Sequence, residues 1–112
     1  MVKKKYTPGR GDIVWLNFNP AAGHEQQGKR PAFVISPVEY NEKVGLGLFC
    51  PITSKIKDYP FEVKIESKEI KGAVLADQIK SLDWQTREIE FIAKASPEKT
   101  EEIISKISVL IE

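Results

Sequence analysis

Ile13-Val14-Trp15-Leu16-Asn17-Phe18 decides what kind of fold this chain can adopt. Alternation puts Ile13, Trp15 and Asn17 on one face and Val14, Leu16 and Phe18 on the other, and both faces are apolar enough to be covered. Gly9 and Gly11-Asp12 supply the turn before this strand. A second apolar run follows at 32–36, and further strands are expected at 46–52, 61–65, 73–79 and 88–93. Turn chemistry separates them at 41–45, 58–60 and Lys71-Gly72. Many short strands in series predict a mainly β protein, a small antiparallel barrel or closed sheet.

Only the end of the chain reads as a long helix. Ser96 can cap it, Pro97 fits its first position, and Glu98 suits the positive end of the dipole. Ile103, Ile107 and Leu110 or Ile111 then form one stripe, as for a helix lying across a sheet. A shorter helical turn is expected over 82–87 around Trp84. The connection over 19–29, with Pro20, Gly23 and Gly28, is long for a compact domain, and long connections commonly bind or catalyse.

With 112 residues, 41% of them apolar, the chain can bury one core but not a second separate one, so residues 1–112 are expected to form a single domain. A formal net charge of +1 excludes the overall basic excess that drives non-specific binding to duplex DNA. A nucleic-acid site would have to be a local patch, such as Lys3-Lys4-Lys5 with Arg10, or Lys29-Arg30; the lysine run also reads as a solvated tail. Cys50 is the single cysteine, so no intramolecular disulfide or thiol-based zinc cluster can form, and its apolar neighbours point to a buried strand position. No apolar run is long enough for a signal peptide or a membrane span, and a cytoplasmic protein is expected.

His24 is the only histidine, which excludes a paired-histidine ribonuclease and a multi-histidine metal site. Gly45-x-Gly47 runs into a strand, not a helix, so it is no phosphate-binding loop. No metal or cofactor is expected. What remains are polar groups at strand ends: Glu25-Gln26-x-Gly28-Lys29-Arg30-Pro31, Pro51-Ile52-Thr53-Ser54 and Asp77-Gln78-x-Lys80-Ser81. In the first of these, glycine permits a chain reversal and proline fixes the backbone just after the arginine.

These pieces resemble the MazF/PemK family of toxin endoribonucleases. The match also takes in Gly11-Asp12-Ile13-Val14-Trp15, Phe18-Asn19-Pro20, Gly23-His24-Glu25-Gln26, Asn41, Tyr59-Pro60-Phe61-Glu62-Val63 and residues 72–81, in family order with similar spacing. The resemblance implies an SH3-like antiparallel β-barrel of the PemK/CcdB toxin kind with a C-terminal helix, and a homodimer. It further implies sequence-specific cleavage of single-stranded RNA without a metal, leaving 2′,3′-cyclic phosphate and 5′-hydroxyl ends, and neutralisation by a cognate antitoxin. The family's catalytic arginine and threonine map onto Arg30 and Thr53, while Lys29, Asn41, Lys57, Gln78 and Lys80 are candidate RNA contacts.

The chemistry suits the residues. Attack by a ribose 2′-hydroxyl builds negative charge on the phosphate oxygens, which a guanidinium fork and a hydroxyl can stabilise. A guanidinium holds its proton at neutral pH and is a poor base, so Glu25 is the candidate base; alternatively it pairs with Lys29 or Arg30 at the surface. Trp15 suits a core or a subunit contact, and Trp84, if exposed, a stacking platform for RNA or an anchor for an inhibitor. A gyrase-poisoning toxin of the same fold is the alternative. Such toxins act through a tryptophan-containing C-terminal end, whereas this chain closes on Val109-Leu110-Ile111-Glu112.

Overall fold

The computed structural model describes residues 6–19 and 28–112. Seven strands form the sheet: β1 Asp12–Asn17, β2 Lys29–Val34, β3 Gly47–Thr53, β4 Glu62–Glu66, β5 Lys71–Leu75, β6 Lys80–Leu82 and β7 Glu90–Lys94. Helix α1, Val38–Val44, links β2 to β3; a 3-10 turn, Trp84–Thr86, precedes β7; and helix α2, Pro97–Ile111, closes the chain. No helix among the described residues is long and apolar enough to cross a membrane.

All pairings are antiparallel, in the order β4-β5-β3-β2-β1-β7, with β6 beside β3 off this path. The expected barrel is therefore corrected to an open, curled half-barrel with β4 and β7 at its ends. β3 makes the curl. Its first residues, Gly47 to Phe49, pair with β6, whereas Ile52 and Thr53 pair with β5. The strand expected over 73–79 is accordingly cut short: β5 ends at Leu75, a turn takes Ala76 and Asp77, and β6 starts only at Lys80. Asp77 and Gln78 interrupt the apolar run where the strand breaks.

The alternation expected for β1 is borne out on the side of Val14, Leu16 and Phe18. These are fully buried with Ala32, Val34, Phe49, Leu82 and Trp84 in one cluster. On the other face, Ile13 joins Phe33, Cys50, Ile52, Val63 and Val74 under Ile103 and Ile107 of α2. Trp15 departs from the core expectation and is 37% exposed. Helix α2 begins as its sequence predicts: the Ser96 side chain accepts from the Lys99 N–H, and Pro97 takes the first turn. Cys50 is buried as expected, and burial, with the charge of Asp77 nearby, pushes its thiol up to about 12.

Ile103 is fully buried whereas Ile111 is 77% exposed. Ile103→Ala should cost about 2–5 kcal/mol in urea melts, and Ile111→Ala no more than about 0.5 kcal/mol. Equal losses would mean that α2 does not close the core as described.

Candidate active site

The register of β2 against β3 places the key pair. Ala32 lies opposite Pro51, Phe33 opposite Cys50 and Val34 opposite Phe49. Arg30 and Thr53 stand two residues beyond that paired stretch, Arg30 on the strand side that Ala32 takes and Thr53 on the side that Pro51 takes. Both residues line one cavity of about 670 Å³.

Local contacts hold the strand ends that carry them. Gly28, with φ of 82°, reverses the chain into β2 as its sequence position predicts. Its N–H donates to the Asn19 side chain, its carbonyl accepts from Phe18, and Arg87 donates to the carbonyls of Asn17 and Asn19. Thr53 is buried, and its Oγ1 accepts from the Lys55 N–H at 3.1 Å, which leaves the hydroxyl proton to donate elsewhere. Gly72 of β5 passes so close that an added Cβ would lie 2.5 Å from the Thr53 carbonyl oxygen. Only glycine fits there.

Lys55 and Lys57 join Arg30 on the cavity wall against one acid, Glu62, and Leu75 adds an apolar surface. The Tyr59 hydroxyl donates to Asp77 at 2.6 Å; burial first, then this bond and the carboxylate's charge, push its ionisation to higher pH. Gln78 also lines the cavity, and its Oε1 is buried without a hydrogen-bond donor. Among the described residues, no group of three or more His, Cys, Asp or Glu gathers as a metal site would need.

The other expected residues are dispersed. Lys29 is exposed on β2 and Lys80 lies on β6 opposite Phe49, neither of them on the cavity lining. Asn41 is fully buried in α1. Its Nδ2 donates to the carbonyls of Pro8 and Ser36, its Oδ1 accepts from the Ser36 hydroxyl, and its carbonyl accepts from the Trp84 indole. These contacts give Asn41 a structural part. The ring of Trp84 is buried in the core, so the condition for its reading as a stacking platform or anchor, exposure, is not met. Glu25, His24 and Lys3-Lys4-Lys5 lie outside the described residues. Sequence reasoning missed Lys55, Tyr59, Glu62 and Leu75 as cavity residues; the Tyr59 to Val63 match was a signal for two of them.

The profile of the PemK-like, MazF-like toxins of type II toxin-antitoxin systems matches residues 9–111. The chain belongs to this family. It is 45% identical over 107 residues to the endoribonuclease toxin MazF of Escherichia coli K12, with 96% of each chain covered. To the endoribonuclease toxin ChpB of the same strain it is 36% identical over the full length of both. Among solved structures, MazF of Deinococcus radiodurans superposes with a TM-score of 0.91 at 47% identity, covering 96% of this chain and 98% of that one. A chain of a MazE-MazF structure from the same organism reaches 0.84 at 42%, covering 96% and 97%.

Asn41→Ala removes partners from several buried groups, each worth about 1–3 kcal/mol when left unsatisfied. The variant should lose several kcal/mol in thermal melts. A melt like that of the parent protein would return Asn41 to the list of ligand contacts.

Proposed function

We propose that this chain is an endoribonuclease toxin that cuts single-stranded RNA at short motifs, with Arg30 and Thr53 at the reaction centre. One observation carries the reading: a guanidinium and a buried hydroxyl, from the ends of two neighbouring strands, line one cavity. The similarity to endoribonuclease toxins along almost the whole chain supports it.

In the proposed reaction, the ribose O2′ forms a bond to its own 3′ phosphorus while the bond from phosphorus to O5′ breaks. The products are a 2′,3′-cyclic phosphate and a 5′-hydroxyl. The 2′-hydroxyl proton leaves to a base and O5′ gains one. Arg30 clamps the phosphate oxygens and is the candidate donor to O5′, and the Thr53 hydroxyl gives a further hydrogen bond to the charge that builds during attack. Glu25 is the proposed base. Lys57 would take a flanking phosphate, and the unpartnered Gln78 Oε1 would accept from a base edge. Lys29 and Lys80 would meet RNA outside the cavity.

No metal or cofactor takes part in this scheme. The enzyme would work in the cytoplasm as a homodimer, with exposed Trp15 a candidate subunit contact, and a cognate antitoxin would block the RNA site. That chains of this likeness are found in MazE-MazF structures supports such a partner.

The purified protein should cut a mixed-sequence RNA into discrete fragments in EDTA. Arg30→Ala and Thr53→Val should each slow cutting about 100- to 1000-fold while melting as the parent protein does. Activity that persists in both variants, or that chelator abolishes, would defeat the scheme.

A further inference from the structure

We propose that Glu62 is a positioning residue: its carboxylate shapes the arm over residues 54–61 so that Lys57 meets an RNA phosphate, and it does not act on the RNA itself. This rests on the endoribonuclease reading and names how its cationic wall is built.

A carboxylate is out of place on a wall with Arg30, Lys55 and Lys57 if a polyanion is to enter, because it would repel the phosphate those cations attract. Its hydrogen bonds show another use. Oε1 accepts from the Asp58 N–H at 2.8 Å and from the Lys57 N–H at 3.1 Å, and Oε2 shares the Lys57 N–H at 3.1 Å. Bonds to an ionised acceptor are roughly twice as strong as neutral ones. The Glu62 N–H in turn donates to the Tyr59 carbonyl at 3.1 Å, so the arm is closed on itself.

The arm needs such a hold at one point. Asp58 adopts φ of 59°, a left-handed conformation that a residue with a Cβ enters at a cost. The Asp58 side chain pairs with Lys64 at 2.9 Å, but both groups are largely exposed, and exposed pairs contribute little. The Glu62 carboxylate instead meets the two backbone N–H groups at the reversal itself, next to Lys57. Through these bonds an acid in β4 sets where a cation on the preceding arm can stand.

The two roles predict opposite effects. If Glu62 only repelled RNA, Glu62→Ala would bind RNA more tightly. As a staple, its loss should raise KM for RNA while kcat holds, and should lower the slope of log affinity against log salt by about 0.7, the share of one single-strand phosphate contact. Glu62→Gln keeps an acceptor oxygen without the charge and should recover most of the KM. Amide exchange at Lys57 and Asp58, read by NMR without RNA, should quicken in Glu62→Ala and stay near the parent value in Glu62→Gln. Unchanged or tighter RNA binding in Glu62→Ala, unchanged exchange there, or a glutamine variant as impaired as the alanine one would each overturn the proposal. Failure of the parent protein to cut RNA would instead defeat the endoribonuclease reading, and the exchange measurement would still judge the staple.

Discussion

The pairing of β2 with β3 is the constraint on which the rest of the molecule depends. A slip of β2 by one residue against β3 would turn Phe33 away from the α2 side of the sheet and Ala32 and Val34 away from the other, so that β2 would leave both clusters at once. The same slip would put Arg30 and Thr53 on opposite faces. Burial of these ordinary apolar side chains is therefore what aims the guanidinium and the hydroxyl at a common space. Stability and chemistry use one alternation, so core packing can resist any drift in the site.

Beyond the last paired residues the strand ends are held by contacts of a different kind. Gly28 and Asn19 close the base of the 20–27 segment, and Arg87 reaches across from the turn before β7 to the carbonyls of Asn17 and Asn19. On the β3 side, the close passage of Gly72 and the bond from Lys55 to Thr53 Oγ1 fix the threonine. Both strand ends are thus held by contacts from outside their own strands, the kind of preorganisation that electrostatic stabilisation requires. The polar knot around Asn41 does similar service at a distance, tying Pro8, Ser36 and Trp84 to α1.

Much of this was legible in the sequence where local chemistry decides structure. Strands with apolar faces, the Ser96-Pro97 start of α2 and the Gly28 reversal all carry local signals, and Arg30 and Thr53 stand at strand ends that those signals delimit. Helix α1 was not legible. Val38, Tyr40 and Val44 stay exposed, so no apolar stripe marks it, and Asn41 close to Gly45 reads as a turn until its buried partners are known. Which part of β3 each of β5 and β6 meets is a tertiary fact that alternation does not record. Whether Trp84 would be exposed was undecided for a related reason: the acceptor of its indole N–H is the carbonyl of Asn41, far away in sequence.

The described wall of the cavity also narrows the search for the group that removes the 2′-hydroxyl proton. A guanidinium or ammonium group holds its proton at neutral pH and serves as clamp or donor. Tyr59 donates to Asp77, and its ionisation is displaced still further upward. Glu62 has both oxygens engaged with backbone N–H groups. The lining residues thus supply donors for a developing phosphorane without an available carboxylate or imidazole. In the proposed reaction a base must then come from another part of the protein or from the substrate itself, and Glu25, close before Arg30 in the sequence, is the acid proposed for it.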